Sequence, residues 1–248
     1  MRLLVTRPKA DAVELQAHLL ARGHEVRLAP LLEVSFSDCD PIELDGVQAL
    51  IATSKNGVRA LAQDAAFEAA RGLALFAVGP GTAAAARALG FEAVIQGPRS
   101  ARELVPMIAE HTDVNAGSLL HLAGDTLAFD IAGELGSLGF HVLAPVVYVT
   151  RPATELPKTV LEDLREGNLD GVLLLSPQTA RVWVRLVDTH SLSRPARFLP
   201  HICLSQAVAD ALRPLGSVPR VVAAEPNLDE MLAAVERAAT NWSKGNVS

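Results

Sequence analysis

Short turns rich in Ser, Thr, Asn and Gly follow many of the apolar runs in this chain, and these residue types suit the binding of anions. Each turn stands where an apolar run gives way to helical spacing, so its N–H groups and hydroxyls would lie at a helix N-terminus. Such a terminus carries about half a positive charge and attracts carboxylates or phosphates. The turns are Thr6-Arg7-Pro8, Thr53-Ser54-Lys55-Asn56-Gly57, Gly79-Pro80-Gly81-Thr82, Gly97-Pro98-Arg99-Ser100, Gly124-Asp125-Thr126, Ser176-Pro177-Gln178-Thr179 and Ser205-Gln206. One such turn indicates only a helix cap, whereas several turns around one site would indicate a site in which many hydrogen-bond donors bind an anion.

Nucleophilic and metal chemistry find little support in the residue patterns. Ser54 and Ser176 lack the G-x-S-x-G elbow, and no phosphate-binding G-x-x-x-x-G-K-[ST] loop occurs. The seven histidines show no zinc-ligand spacing, and we expect His121 and His201 to be packed beside apolar strands. Catalysis is therefore expected to need no metal and no covalent intermediate.

The two cysteines, Cys39 and Cys203, are too few for a disulfide framework. Cys39 stands in a polar connector and Cys203 in an apolar run, so we expect both to be chemically inert.

One motif suggests a dinucleotide-dependent enzyme as an alternative. The run Gly79-Pro80-Gly81-Thr82-Ala83-Ala84 matches G-x-G-x-x-A between a strand and a helix. The acid expected at the end of the next strand is missing, since Gln96 and Gly97 stand there. Arg99 could serve a 2′-phosphate, but Pro80 removes an N–H from the phosphate cradle. The motif therefore favours this alternative only weakly.

Short apolar runs that alternate with amphipathic helical segments would position these turns. Most runs are continuous in Val, Leu, Ile and Ala, which is typical of parallel strands covered on both faces. The predicted strands are Leu3–Thr6, Glu25–Ala29, Ala49–Thr53, Ala74–Val78, Ala93–Gln96, Leu119–Leu122, Val142–Val149, Val172–Leu175, Ile202–Leu204 and Arg220–Ala223. Asp11–Arg22 and Thr82–Leu89 are examples of the helical segments between them. The pattern predicts an α/β fold with two doubly wound parallel sheets in two domains.

The chain also repeats itself weakly but in order, which indicates an internal duplication. "LLVTRP" followed by "LLARGHEVRLAP" corresponds to "LLHLAG" followed by "LGSLGFHVLAP". Each repeat holds two strands and then three, separated by the links Leu32–Leu44 and Thr150–Leu169. Either each repeat is a domain, or the chain crosses over and each domain combines pieces of both repeats. The pattern alone leaves both arrangements open.

Composition and charge restrict the classes of partner. Of the 248 residues, 50% are hydrophobic and 4% aromatic, and the net charge is −6 without a basic block. We therefore expect a packed core and no nucleic-acid partner. No apolar run is long enough for a membrane span, and the first run, Leu3–Val5, is too short for a signal peptide. We expect a cytoplasmic monomer.

The polar turns, taken in order, resemble one known family. The matching segments are "VTRP", "TSKNGV", "VGPGTA", "APVVY" ending in Tyr148, "LLLSPQTAR" and "CLSQAVADAL", and they extend from Leu3 to about Ala234. In this set and order they resemble the uroporphyrinogen-III synthase family of tetrapyrrole biosynthesis. No single motif is specific, whereas the ordered set is.

The resemblance implies two similar α/β domains joined by a two-segment hinge, with the active site in the cleft between them. Domain one would hold residues 1–33 and 150–240, domain two residues 34–149, and residues 241–248 would form a frayed tail. The extended links, around Leu31–Val34 and Val146–Thr150, would form a thin, flexible ladder. The implied reaction closes linear hydroxymethylbilane into uroporphyrinogen III with inversion of ring D and loss of water, without a cofactor.

The resemblance also implies roles for particular residues. Tyr148, the only tyrosine, would help the hydroxyl to leave by donating a proton, or would only pack at the hinge. The carboxylates of the octacarboxylate substrate would be bound by Arg7, Thr53, Ser54, Asn56, Gly79, Thr82, Ser176, Gln178 and Ser205.

One segment departs from the family pattern. Many relatives carry arginine in the loop that matches residues 122–130, which here reads "LAGDTLAFD" and has no basic residue. Lys55, Arg99, Arg151 or Arg181 would then have to supply the missing cation. This departure leaves open a divergent member of the family with reduced or altered activity. A non-catalytic, two-domain sensor or carrier of an anionic ligand is a separate alternative.

Overall fold

A computed structural model describes residues 1–37, 41–98 and 100–245 of the chain. Its strands are β1 (Arg2–Val5), β2 (Glu25–Leu28), β3 (Leu32–Phe36), β4 (Val47–Ala52), β5 (Ala74–Ala77), β6 (Val94–Gln96), β7 (Ser118–His121), β8 (Ala123–Gly124), β9 (Val142–Leu143), β10 (Val146–Pro152), β11 (Gly171–Leu174), β12 (His201–Cys203) and β13 (Arg220–Val222).

Helices connect most of these strands. They are α1 (Lys9–Ala21), α2 (Lys55–Leu61), α3 (Phe67–Ala70), α4 (Gly79–Ala88), α5 (Ala101–His111), α6 (Ile131–Ser137), α7 (Lys158–Glu166), α8 (Pro177–Thr189), α9 (Ser193–Phe198), α10 (Gln206–Asp210) and α11 (Leu228–Gly245), with a 3₁₀ turn at Arg213–Leu215. Within the described residues, none of the helices combines the length and the apolar character that a membrane crossing requires.

The chain divides into two compact units. Unit 1 comprises Met1–Glu33 and Arg151–Ser248, and unit 2 comprises Val34–Thr150. The sheet of unit 1 has the order β13-β12-β11-β1-β2, and that of unit 2 has the order β6-β5-β4-β7-β9. All neighbours in both sheets are parallel. The prediction of parallel α/β sheets is therefore confirmed.

Each sheet combines strands from both sequence repeats. In unit 1, β1 and β2 come from the first repeat and β11, β12 and β13 from the second. In unit 2, the first repeat gives β4, β5 and β6, while the second gives β7 and β9. The two sheets thus share one arrangement, in which a three-strand group from one repeat lies beside a two-strand group from the other.

Both faces of the unit 1 sheet are covered, as continuous apolar strands require. On β1, Leu4 packs into a cluster with Trp183 of α8, while Leu3 and Val5 face the other way, into a cluster with Met231 of α11. This alternation follows from the twofold side-chain period of a strand.

Unit 2 is built in the same way. Leu50 and Ala52 of β4 pack with residues of α2 and α4 on one face of the sheet. Ala49 and Ile51 of the same strand pack with residues of α5 and α6 on the other face. Helices therefore cover both faces, and the polar turns are left at the ends of the strands.

The two segments in which the chain passes from one unit to the other belong to a separate three-stranded sheet of order β3-β10-β8. Sequence reasoning treated residues 32–44 as a link, and it treated Val142–Val149 as one strand. In the structure that run is divided at Ala144-Pro145 into β9 and β10, which belong to different sheets. Pro145 has no N–H for a strand ladder, which explains why pairing stops there.

The C-terminal helix is longer than expected. We expected a frayed tail from residue 241, but α11 continues to Gly245, while residues 246–248 lie outside the described part. The preceding turns of α11 are anchored by buried Val235 and Ala238. Adding a residue to an established helix requires no new nucleus, so polar residues can extend it.

The packing of α2 against the backbone that follows β7 gives a stability prediction. A Cβ at Gly57 would lie 2.6 Å from the Leu122 carbonyl oxygen, whereas a Cβ at Gly136 of α6 would meet nothing within 4 Å. We expect Gly57→Ala to lower the free energy of unfolding by about 1–3 kcal/mol, because the backbone must shift. Gly136→Ala should leave it unchanged or raise it by up to about 1 kcal/mol. Urea unfolding of both variants checks this, and equal stabilities would contradict the close packing.

Candidate active site at the carboxyl ends of β4 and β7

A cavity of about 560 Å³ lies in unit 2 beyond the carboxyl ends of β4 and β7. The chain runs from β4 through β5 to β6 on one side, and then returns to place β7 on the other side of β4. Connections leave in opposite directions at such a switch point, which opens a crevice where α/β sheets bind ligands. The cavity is lined by Thr53, Ser54, Val78, Ser100, Ala101, Arg102, Thr126, Leu127, Ala128, Phe129 and Tyr148.

Two hydroxyls reach the cavity from the turn after β4. Ser54 caps α2, and its Oγ accepts a hydrogen bond of 3.2 Å from the N–H of Asn56. Thr53 Oγ1 lies 3.2 Å from Nε2 of His121, the last residue of β7. Because β4 and β7 pair side by side, His121 at the end of β7 contacts the Thr53 hydroxyl and fixes its position.

His121 is held neutral at physiological pH. Its side chain is completely buried, and desolvation lowers its pKa to about 4, although the charge of Asp130 acts in the opposite direction. Nδ1 of His121 has no hydrogen-bond partner among the described residues. If Nε2 carries the proton and donates to Thr53, the unpartnered Nδ1 is an acceptor and the Thr53 hydroxyl is free to donate into the cavity.

Tyr148 brings a third hydroxyl to the cavity. Tyr148 of β10 pairs with Gly124 of β8, and a Cβ at Gly124 would lie 2.5–2.7 Å from the Tyr148 ring and hydroxyl. The residue is only 9% exposed. Burial raises the pKa of Tyr148, a side-chain hydrogen bond with Ser54 lowers it, and the charge of Asp125 raises it further. The phenol is therefore protonated at neutral pH and is a hydrogen-bond donor.

Eight residues of the lining were not predicted as site residues, and four of these eight carry polar or aromatic side chains. Ser100 caps α5 by accepting from the N–H of Glu103, and Thr126 lies in the loop after β8. The guanidinium carbon of Arg102, in the first turn of α5, lies 4.6 Å from the centroid of the Phe129 ring. Ser100 and Thr126 stand in the polar turns that the sequence had marked, but no sequence signal pairs Arg102 with Phe129.

Three predicted binding residues of unit 2 do not line this cavity. Asn56 Oδ1 accepts from Arg59, and Thr82 is only 7% exposed. Gly79 adopts φ +70°, and its N–H donates to the carbonyl of Pro98. With Pro80 lacking an N–H and Gly79 already bonded, this turn is poorly equipped to cradle a pyrophosphate.

The other predicted binding residues lie in unit 1 at the corresponding edge of its sheet. Arg7 follows β1, Ser176 and Gln178 follow β11, and Ser205 follows β12; these three strands are neighbours. Ser176 caps α8, whereas Ser205 makes no capping bond. Arg7 lies 3.9 Å from Asp11, and Gln178 is exposed. The strand pair β11–β1 is the switch point of this sheet.

Two other titratable residues that the sequence singled out, Cys203 and His201, are parts of the packed core. Cys203 is completely buried, and desolvation raises the pKa of its thiol to about 12. His201 is completely buried and accepts a hydrogen bond of 3.0 Å from Trp183 Nε1. Cys39 and Arg99 lie outside the described residues. Within the described ranges, no group of three or more His, Cys, Asp or Glu residues is arranged to hold a metal ion.

Comparison with known families decides the assignment. The family profile described as uroporphyrinogen-III synthase HemD matches residues 13–233. The chain belongs to the uroporphyrinogen-III synthase family. The resemblance drawn from the polar turns is therefore confirmed, and the family match spans both units.

Solved structures of the family share the fold. A uroporphyrinogen-III synthetase from Helicobacter pylori aligns with a TM-score of 0.62 at 17% identity, over 96% of this chain and 99% of that one. A triple mutant of uroporphyrinogen III synthase from Thermus thermophilus aligns with a TM-score of 0.57 at 19% identity, over 97% and 99%. Among curated proteins, no sequence matches significantly.

The two buried histidines give a prediction for stability against pH. Desolvation lowers the pKa of both His121 and His201 to about 4. Between about pH 6.5 and 4 the unfolded chain therefore binds more protons than the folded one, and stability falls on acidification. For each histidine, the free energy of unfolding should fall by up to about 1.4 kcal/mol per unit of difference between its pKa in the unfolded and in the folded chain.

Urea unfolding at pH 7, 5.5 and 4.5 checks this effect. Carboxylates also titrate in this range, but their contribution is the same in the wild-type protein and in the variants. His121→Gln and His201→Gln should each weaken the pH dependence, whereas His18→Gln, at an exposed position of α1, should leave it unchanged. The same slope in the wild-type protein and in both buried-site variants would contradict neutral, desolvated histidines.

Proposed function

We propose that this chain cyclises linear hydroxymethylbilane to uroporphyrinogen III, with inversion of ring D and release of water. The main support for the proposal is a set of hydrogen-bond donors at the β4–β7 switch point, in a chain that belongs to the uroporphyrinogen-III synthase family. Thr53, Ser54, Tyr148 and Arg102 line one cavity there. All four can donate hydrogen bonds.

These hydrogen-bond donors suit a flexible polycarboxylate substrate. Eight carboxylates need many donors of moderate strength, and hydroxyls, first-turn N–H groups and an arginine supply them. In this proposal Arg7, Ser176, Gln178 and Ser205 of unit 1 bind further acetate and propionate groups. Asn56, Gly79 and Thr82 act by shaping the turns, since their polar groups are engaged or largely buried.

The chemical task is orientation more than acid–base power. Loss of the substrate hydroxyl generates a reactive azafulvene cation, which would close head to tail if left alone. The protein must hold the bilane so that the substituted carbon of ring D is attacked instead, giving a spiro intermediate. Fixing reactants in this way accelerates one of two competing paths without any cofactor.

In this proposal Tyr148 donates the proton in the first step. The carbon–oxygen bond of the hydroxymethyl group breaks, and the departing hydroxide takes the phenolic proton and leaves as water. The phenolate regains a proton when the ring D carbon that forms the last bond of the macrocycle loses its hydrogen as a proton. Ser54 lies beside the phenol and stabilises the phenolate by a hydrogen bond.

The proposal also includes a monomer that works in the cytoplasm, as expected from the sequence. Sedimentation velocity at working concentration should give the mass of one 26.2 kDa chain. A stable dimer would contradict this part of the proposal and leave the activity untouched.

The product isomer tests the proposed activity. Purified protein supplied with freshly made hydroxymethylbilane should give uroporphyrinogen III, which is separated from isomer I by chromatography after oxidation to the porphyrins. A reaction without protein is the control, because it gives isomer I by spontaneous closure. Isomer I alone, formed at the spontaneous rate, would refute the proposal; tight binding of the bilane without turnover would favour the sensor alternative.

Substitution of Tyr148 separates proton donation from packing. Tyr148→Phe keeps the ring against Gly124 and removes only the hydroxyl, so the melting temperature should change little. We expect kcat for isomer III to fall about 100-fold, because general acids contribute roughly 10²–10⁴-fold, while KM stays within about threefold. An unchanged kcat would show that the ring only packs.

A further inference from the structure

The loop between β7 and α6 lines the cavity but brings no positive charge of its own. Residues 122–130 read "LAGDTLAFD", without a Lys, Arg or His. Four of these residues, Thr126 to Phe129, are part of the lining. A cation at this cavity would strengthen the binding of a carboxylate, because hydrogen bonds between ionised partners are about twice as strong as neutral ones.

Helix α5 supplies that cation from a different part of the chain. Arg102 is exposed, lines the cavity and lies over the Phe129 ring at 4.6 Å. Among the described lining residues, Arg102 has the only side chain that is charged at neutral pH. A stacked guanidinium keeps its charge and its in-plane N–H donors, because the ring occupies only the face of the plane.

The position of Arg102 is unfavourable for the helix itself. It is the second residue of α5, where the helix dipole favours anions and opposes a cation by about 0.3–1 kcal/mol. Helix stability therefore does not account for an arginine at this position. An anion bound at the cavity would be attracted both by the guanidinium and by the helix terminus.

The carboxylates of the residue after Arg102 and of the loop 122–130 accept hydrogen bonds from other groups. Glu103 accepts a hydrogen bond of 2.7 Å from Ser100 Oγ, and Asp130 caps α6 by accepting from the N–H of Gly133. Asp125 accepts a hydrogen bond of 3.0 Å from the N–H of Thr150. Arg102 makes no ion pair within the described part of the chain, so its donors are available to a ligand.

We propose that Arg102, oriented by Phe129, binds a carboxylate of the substrate in the unit 2 cavity. This inference rests on the proposed function and assigns one carboxylate subsite within it. Arg102 contacts the substrate through its guanidinium N–H groups, and Phe129 is a positioning residue that fixes the plane of the guanidinium. A planar, preoriented guanidinium accepts a carboxylate in a bidentate manner, which fixes the direction of an acetate or propionate arm.

Steady-state kinetics with hydroxymethylbilane test this subsite. Arg102→Gln should raise KM about 10- to 100-fold, the range expected for loss of a hydrogen bond to a charged group, while kcat changes less than about threefold. Arg102→Lys should recover part of the loss, because it keeps the charge without the planar fork. Arg87→Gln, at an exposed position near the far end of α4, is the matched control and should leave KM unchanged.

Phe129→Leu tests the positioning role. The substitution keeps an apolar side chain and removes the aromatic face, so KM should rise about threefold. In the Arg102→Gln background it should add nothing, because the two effects act through one guanidinium. An independent, additive effect would show that Phe129 only packs and would overturn its assigned role.

The outcomes separate this inference from the proposed function. If the wild-type protein makes isomer III and folded Arg102→Gln keeps the wild-type KM, the Arg102 subsite is wrong and the proposed function stands. If the wild-type protein makes isomer I only, the proposed function fails and this inference fails with it. Thermal unfolding establishes that each variant is folded, and a folded Arg102→Lys variant provides the test if Arg102→Gln does not fold.

Discussion

The close contact between the Tyr148 ring and the backbone of Gly124 is the constraint on which the candidate site depends. Only a hydrogen atom fits at that position, since a Cβ would approach the ring to 2.5 Å. The contact holds the phenol beside Ser54, where burial keeps it protonated. Thr53 lines the same cavity, and its hydroxyl is positioned by the contact with His121. The strands β4 and β10 therefore bring three hydroxyls to one cavity, and β7 contributes His121, which contacts one of them.

The same architecture occurs twice in the chain. In both sheets, a group of three strands from one repeat lies beside two strands from the other, and the switch point lies at their junction. Parallel strands direct all their carboxyl ends to one edge, so a duplicated pattern of polar turns yields two edges rich in donors. The topology of the two sheets alone thus brings many hydrogen-bond donors to the carboxyl ends of their strands.

Much of the fold was predictable because continuous apolar runs mark parallel strands, and most predicted strands lie within one or two residues of their observed positions. The strand β3 is absent from the strands predicted from apolar runs, because its alternating pattern stands in a stretch that reads as a connector; only the family resemblance implied an extended ladder, around Leu31–Val34 and Val146–Thr150. Thr53, Ser54 and Tyr148 were predictable from ordered motifs. Arg102 was not, because its partner Phe129 lies 27 residues away and cation–π pairs leave no periodic signal. Gly79 and Thr82 do not line this cavity, and the sequence shows neither the bond of the Gly79 N–H to Pro98 nor the burial of Thr82; their binding role stays a prediction.

A crystal structure with uroporphyrin III, the stable porphyrin of the proposed product, would test the central claim most directly. The account predicts a carboxylate of the ligand within hydrogen-bonding distance of the Ser54 hydroxyl or the Arg102 guanidinium, with Tyr148 facing the macrocycle. A ligand seated elsewhere, such as in the cavity of about 290 Å³ between α7 and α9, with the β4–β7 cavity unoccupied, would contradict it.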